Sequence, residues 1–225
     1  MCRSVSKPDG GRDGAGELER GRRIFAQPCR FLLGASDVHA LPPVAANEIA
    51  FAGRSNVGKS SLINALTGQR ALARASNTPG RTRQLNFFAL GDRLVLVDLP
   101  GYGYAKAPKG EVRRWNQLIY DYLRGRPGLR RVLLLLDARH GVKPADEQVM
   151  ALLDGLAVSY QAVLTKCDKL TPAELIAARA AVAERLARQP AAHPMVQATA
   201  ATTGQGIAEL RAELAALAVE KPDAL

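Results

Sequence analysis

Residues 53–61 read Gly53, Arg54, Ser55, Asn56, Val57, Gly58, Lys59, Ser60, Ser61, directly after the apolar run Ile49, Ala50, Phe51, Ala52. The pattern is G-x-x-x-x-G-K-S, placed between a strand and a helix as a phosphate-binding loop must be. Glycine lets the backbone wrap a polyphosphate so that successive N–H groups form an anion nest. The following helix, with Leu62, Ile63 and Leu66 at helical spacing, adds the positive end of its dipole. Lys59 is placed to reach the outer phosphates and the Ser60 hydroxyl to take a position on magnesium. The competing explanation is a glycine-rich turn that happens to contain Lys-Ser.

A base-reading element follows about a hundred residues later: Thr165, Lys166, Cys167, Asp168, at the end of the apolar run 160–164. A carboxylate at Asp168 can accept from both N1–H and the 2-amino group of guanine. Adenine offers neither donor there and would leave the carboxylate unpaired, so such a site rejects the wrong base strongly. The Lys166 stem can lie on the purine. Between these elements, Asp98, Leu99, Pro100 and Gly101 form D-x-x-G after the strand 94–97. Asp98 is expected to hold magnesium through water, and the Gly101 N–H to sense the γ-phosphate. Upstream lie Gly80, Arg81, Thr82, Arg83 and Gln84, grouped with the GTP-contacting residues. Thr82 is the favoured further magnesium ligand and Thr78 the alternative, since hard oxygen donors suit that ion. Lys59, Thr82 and Gly101 would position the γ-phosphate and water; no residue is assigned as a catalytic acid or base.

These strings closely resemble the EngB family (also called YihA or YsxC), within the TrmE-Era-EngA-EngB-septin-like GTPases. The resemblance rests on 52–61, 78–82 and 98–105, with support from Asn86-Phe87-Phe88, Trp115 and Asp137-Ala138-Arg139-His140-Gly141, and spans roughly residues 22–217. It implies a bacterial GTPase for assembly of the large ribosomal subunit, with a role in cell division and septation. Two positions depart from the family pattern. The last guanine loop, commonly Ser-Ala or Ser-Ser, is here Thr199, Ala200, Ala201, so backbone N–H groups would meet the base without side-chain support. Arg83 stands where Gln is common.

Ras-like enzymes orient the attacking water with a Gln after D-x-x-G, whereas this chain has Tyr102. Slow hydrolysis follows, on the order of 10⁻⁴ per second, with a partner or a cation completing the site. Asn56 is a candidate potassium ligand by likeness to related GTPases; the alternative is that it bonds only the loop backbone.

The elements that must position these loops alternate. Runs 84–90 and 93–99, joined by Gly91-Asp92, signal a hairpin and one antiparallel strand. Further strands are expected at 132–137, 161–165 and 195–198. Val112, Trp115, Ile119 and Tyr122 share one helical face, more simply as core than as an RNA-stacking pair of Trp115 and Tyr122. Thr171-Pro172-Ala173-Glu174 is a capping box, with Leu175, Val182 and Leu186 inward, and Ile207, Leu210, Leu214 and Leu217 line a closing helix. The predicted fold is a three-layer α/β P-loop GTPase domain over 22–219. Its mostly parallel six-stranded sheet has one antiparallel strand and helices on both faces. Residues 1–21 read as a flexible tail and 220–225 as a short C-terminal one.

At 225 residues the chain suits one domain. Three cysteines without C-x-x-C spacing fit a reducing cytoplasm, and neither a secretory signal nor a membrane span is evident. Cys167 reads as a small residue of the base loop, and His140 as a surface loop residue. Net charge is +10. Its excess gathers between 106 and 131, in Lys106, Lys109, Arg113, Arg114, Arg124, Arg126, Arg130 and Arg131 against Glu111 and Asp121, with Arg74, Arg81 and Arg83 nearby. A basic segment beginning just after D-x-x-G suits docking on ribosomal RNA gated by GTP. A monomer is expected. The alternatives are a switch whose direct partner is a division or other protein, and an ATPase or small-molecule kinase, against which Asp168 argues.

Overall fold

The computed structural model describes residues 10–73, 84–102 and 109–219. Seven strands form one sheet: β1 (Cys29–Ala35), β2 (Asn47–Gly53), β3 (Leu85–Leu90), β4 (Leu94–Asp98), β5 (Leu129–Asp137), β6 (Tyr160–Thr165) and β7 (Gln197–Ala198). Their order is β1-β3-β4-β2-β5-β6-β7. Only β3 runs against the rest, pairing antiparallel with both β1 and β4, while β2, β4, β5, β6 and β7 pair in parallel.

Alternate residues of each central strand face opposite sides, and helices cover both. Ile49 and Phe51 of β2 join Leu133 and Leu135 of β5 beneath α2 (Lys59–Thr67), α6 (Ile207–Ala215) and the end of α1 (Gly10–Phe25). Ala50 and Ala52 join Leu134 and Leu136 beneath α3 (Lys109–Gly125), α4 (Pro144–Gly155) and α5 (Pro172–Leu186). Strands buried on both faces read as continuous apolar runs, which is why 132–137 and 161–165 were legible in the sequence. The capping box at Thr171 forms as expected: its hydroxyl accepts from Glu174 N and the Glu174 carboxylate accepts from Thr171 N. Val182, Leu186, Ile207, Leu210 and Leu214 are buried.

Three expectations change. The sheet has seven strands rather than six, because β1 pairs along the outer edge of β3. Its sequence hides it: Phe31 and Leu32 are both exposed and a bulge falls between Phe31 and Leu33, so the period-2 alternation is lost. The expected strand at 195–198 narrows to the two residues of β7. Helix α1 occupies 10–25, most of which composition had assigned to a flexible tail. Docking explains it. Ile24 and Phe25 enter the core, and Gly21 lies so close to α6 that a Cβ there would come within 2.5 Å of Ala212 N. A tail with few apolar residues is thereby held by backbone-to-backbone approach, which hydropathy does not register.

Of the predicted aromatic pair, Tyr122 is fully buried as core, its ring edge-on to Phe87 at 6.0 Å; the Trp115 side chain lies outside the described structure. Among the described residues no helix is long and apolar enough to cross a membrane.

Candidate nucleotide site

The carboxyl ends of β2, β4, β5 and β6 and the turn after β7 converge on one edge of the sheet, where ligands bind in open α/β folds. The phosphate loop leaves β2 with Asn56 at φ 64° and Gly58 at φ 107°; a side chain at Gly58 would be strained. Val57 is buried and plugs the loop onto the sheet, while Ser55 and Asn56 are exposed. Helix α2 begins at Gly58 with no side chain capping its first N–H groups, which leaves them and the helix dipole for an anion. Lys59, Ser60 and Ser61 form that first turn. Lys59 Nζ is bonded to the carboxylate of Asp98 at the end of β4, so the first turn of α2 and the end of β4 are joined at this lysine.

The base loop is strapped to the phosphate loop. Thr165 Oγ1 donates to Val57 O at 2.6 Å. Lys166, itself in the left-handed region at φ 59°, donates from Nζ to Asn56 O at 2.7 Å and to Asp137 Oδ2 at 2.9 Å. Burial would raise the Asp137 carboxyl, but bonds from Arg139 and Lys166 outweigh it and hold the group well below the usual carboxylate range. Asp168 follows in the 3-10 turn Cys167–Lys169, with Lys169 Nζ 3.1 Å from its carboxylate. Cys167 is buried, and burial pushes its thiol up. Its N–H donates to Thr199 O at 3.1 Å, and Thr199 returns to Leu164 O through both N (2.8 Å) and Oγ1 (2.9 Å). The 199–201 turn is thus held to β6 and the base loop. Ala200 is fully buried and its N–H donates to Gln205 O at 3.0 Å.

The D-x-x-G turn lies against the phosphate loop. Leu99 N donates to Phe51 O at 3.0 Å, Tyr102 N to Gly53 O at 3.3 Å, and Ser55 N to Tyr102 O at 3.1 Å. Tyr102 is half-buried, and its hydroxyl donates to Asp146 Oδ1 of α4 at 2.8 Å. Burial and the neighbouring carboxylate push the phenol far up, so it stays a donor.

The structure therefore brings together the 53–61, 98–101, 165–168 and 199–201 residues. Gln84 is exposed at the start of β3, and Thr78, Gly80, Arg81, Thr82 and Arg83 lie outside the described residues, as do Arg74 and Lys106. His140 is exposed on its loop. Two residues to which motif reading gave no site role prove central: Asp137, named there only within the family-like string 137–141, which orients Lys166, and Asp146, which holds Tyr102. Pro144 with Asp146 two residues on was a legible helix start, and the Asp146 side chain does accept from Lys143 N at 2.8 Å; nothing local foretold Tyr102 as its partner.

Residues 48–166 match a family described as 50S ribosome-binding GTPase. The chain is 57% identical over 211 residues to a probable GTP-binding protein EngB of Rhodospirillum rubrum, covering 92% of this chain and 91% of that one. It is 57% identical to the corresponding protein of Gluconobacter oxydans, covering 90% and 89%. This chain belongs to the EngB family. Among solved structures, that of a probable GTP-binding protein EngB has the same fold (TM-score 0.59, 24% identity, 76% of this chain and 97% of that one). So does Era in complex with MgGDPNP and nucleotides 1506–1542 of 16S ribosomal RNA (TM-score 0.63, 22% identity, 80% and 59%).

Placing this EngB-family chain's charge in the fold also trims the basic segment. Arg126 is turned inward onto Glu48, with side-chain exposure of only 8%, and Arg131 reaches Gln161 and Glu213. Arg124 and Arg130 remain exposed, Arg130 Nε donating to Asn47 Oδ1 at 2.9 Å.

Proposed function

We propose that this protein is a GTP-dependent switch acting in assembly of the large ribosomal subunit, in the cytoplasm and as a monomer, and needed for normal cell division and septation. One observation carries the nucleotide part: Thr165 and Lys166 of the T-K-x-D loop bond directly to Val57 O and Asn56 O of the phosphate loop. Base and phosphate recognition are thereby locked to one frame, with Asp168 set to accept from guanine. In the last loop the Ala200 N–H is committed to Gln205, so the Ala201 N–H takes the guanine oxygen. The functional unit is the 22–219 domain, with 10–21 added to it as helix; residues 1–9 and 220–225 lie outside the described residues.

The donor types near Lys59 fit magnesium: the Asp98 carboxylate, held by Lys59, and the hydroxyl of Ser60, next to Lys59 in the chain, are hard oxygens. Ser60 would hold the ion directly and Asp98 through water, with Thr82 as the further direct ligand. Magnesium would neutralise charge on the β- and γ-phosphates. When the phosphates arrive Lys59 leaves Asp98 for them, and Gly80, Arg81, Thr82, Arg83 and Gln84 are the further residues assigned to GTP binding. Tyr102 stands where Ras-like enzymes carry the water-orienting Gln, and a phenol does not do that job in the same way, so hydrolysis is slow until a partner or a cation completes the site. Potassium at Asn56 is the cation of choice; the Asn56 side chain is exposed and its backbone oxygen is already taken by Lys166.

The relatives' family description names the ribosome, and the exposed basic positions left around α3 suit a polyanion. Co-sedimentation with large ribosomal subunits across a salt series, with a non-hydrolysable GTP analogue, GDP or no nucleotide, tests this. Binding that needs the analogue and weakens steeply with salt supports the reading. Binding insensitive to salt points to a protein partner, and its absence in every nucleotide state sinks the ribosomal role. Asp168→Asn tests the base: preference should pass from guanine to xanthine nucleotides, and unchanged guanine preference refutes the assignment.

A further inference from the structure

Asp146 is fully buried at the start of α4, and its two carboxylate oxygens serve three groups. Oδ1 accepts from the Tyr102 hydroxyl at 2.8 Å, the residue directly after D-x-x-G. Oδ2 accepts from Lys143 N at 2.8 Å and stands 3.4 Å from Nε of Arg54, the second residue of the phosphate loop. Arg54 Nε is buried with no hydrogen-bond partner, so this ion pair is what offsets its burial. The backbone repeats the connection, through Ser55 N to Tyr102 O and Tyr102 N to Gly53 O. Between them Gly101 is packed so closely that a Cβ there would lie 3.1 Å from Ser55 N and Cα.

We propose that Asp146 is a positioning residue that sets the preference between nucleoside triphosphate and diphosphate, by latching Tyr102 and Arg54 so that the D-x-x-G turn stays closed on the phosphate loop. The proposal rests on the reading of the site as a GTP switch. A γ-phosphate bound by the Gly101 N–H would come between the D-x-x-G turn and the phosphate loop, which the Ser55 N–Tyr102 O and Tyr102 N–Gly53 O bonds hold together. Its arrival therefore pulls Tyr102 away from Asp146, whereas a diphosphate leaves the latch shut. A contact broken by one ligand and not by the other appears as differential affinity. The hydroxyl is the part of Tyr102 that bonds the carboxylate, and it can be removed alone.

Tyr102→Phe keeps the ring, and with it the packing, and deletes the bond. We expect the ratio of dissociation constants, non-hydrolysable GTP analogue over GDP, to fall about tenfold, the equivalent of one hydrogen bond to a carboxylate. Asp146→Asn should move the ratio in the same direction, and the double variant should add nothing beyond the larger single effect, since both act on one contact. A purely structural role would weaken both nucleotides alike and leave the ratio in place. Asp146 also accepts the Lys143 N–H at the start of α4, so Tyr102→Phe, checked by thermal melting, carries the decision if Asp146→Asn does not fold. A ratio within about twofold of the parent in folded Tyr102→Phe overturns the latch alone. If the parent protein binds neither nucleotide, the switch reading fails and the latch with it.

Discussion

At the amino end of β2, Glu48 is closed in by Arg126 Nε at 2.9 and 3.0 Å, by the Tyr122 hydroxyl at 3.0 Å, and by the Phe87 ring under the guanidinium at 5.7 Å. At the carboxyl ends of β4 and β5, Asp98 and Asp137 are buried too, Asp98 against Lys59 and Asp137 against Arg139 and Lys166; the two lysines are long flexible cations from motif loops. Both ends bury carboxylates against cations. The first set is complete within the protein: a planar guanidinium meets the carboxylate edge to edge and a phenol takes what remains. The second includes Lys59, Asp98 and Lys166, whose motif roles lie with a ligand, so their ion pairs hold them in place until an exchange of partners. Buried charge at one end is architecture, and at the other it is a poised site.

Substitutions should separate the two ends cleanly. Glu48→Ala would strand Arg126 in a buried setting and lower stability by about 3–5 kcal/mol, the range for breaking a buried pair from one side. Denaturant titration should show this loss, while nucleotide affinity of the folded protein stays near the parent value. Lys59→Ala should do the reverse. Binding of both GTP and GDP drops at least about a hundredfold, roughly 2.7 kcal/mol, read by titration with a labelled nucleotide, with a smaller stability loss than Glu48→Ala. Equal stability losses in the two variants would erase the contrast.

Asp137→Asn offers the finer test. Lys166 keeps Asn56 O but loses its carboxylate, and GTP and GDP should both bind about tenfold more weakly because the base loop serves both. Their ratio should stay constant, unlike the shift expected for Tyr102→Phe. The sign of the pH effect follows from the lowered Asp137 pKa. Its stabilisation is full above about pH 5 and lost on going more acid, as the unfolded chain, with a carboxyl near 3.9, takes up its proton first. Acid titration of stability in the parent and in Asp137→Asn should therefore converge at low pH.

The phosphate loop, the hairpin at Gly91-Asp92 and the capping box at Thr171 were legible because each depends on residues within a few positions of one another. The helices facing the sheet were legible from period, since burial on one side repeats every three to four residues. Edge strand β1 was not, because a bulge and two adjacent exposed apolar residues break the alternation. Nor was the direction of Arg126 and Arg131, which composition counted with the outward basic surface and packing turned inward.

What the sequence by itself determined is local chemistry: which loop has the pattern that cradles phosphate, which carboxylate is the one to test for guanine reading, and where most strands and helices begin. Glycine, capping and spacing act over a single turn, and a turn carries its own geometry. The tertiary structure alone decided which of those groups hold one another: Lys166 on Asn56 across 110 positions, Tyr102 on Asp146 across 44, and α1 on α6 by way of Gly21. Such pairings depend on how the packed layers bring distant positions together, and no periodicity in the chain records the identity of a partner.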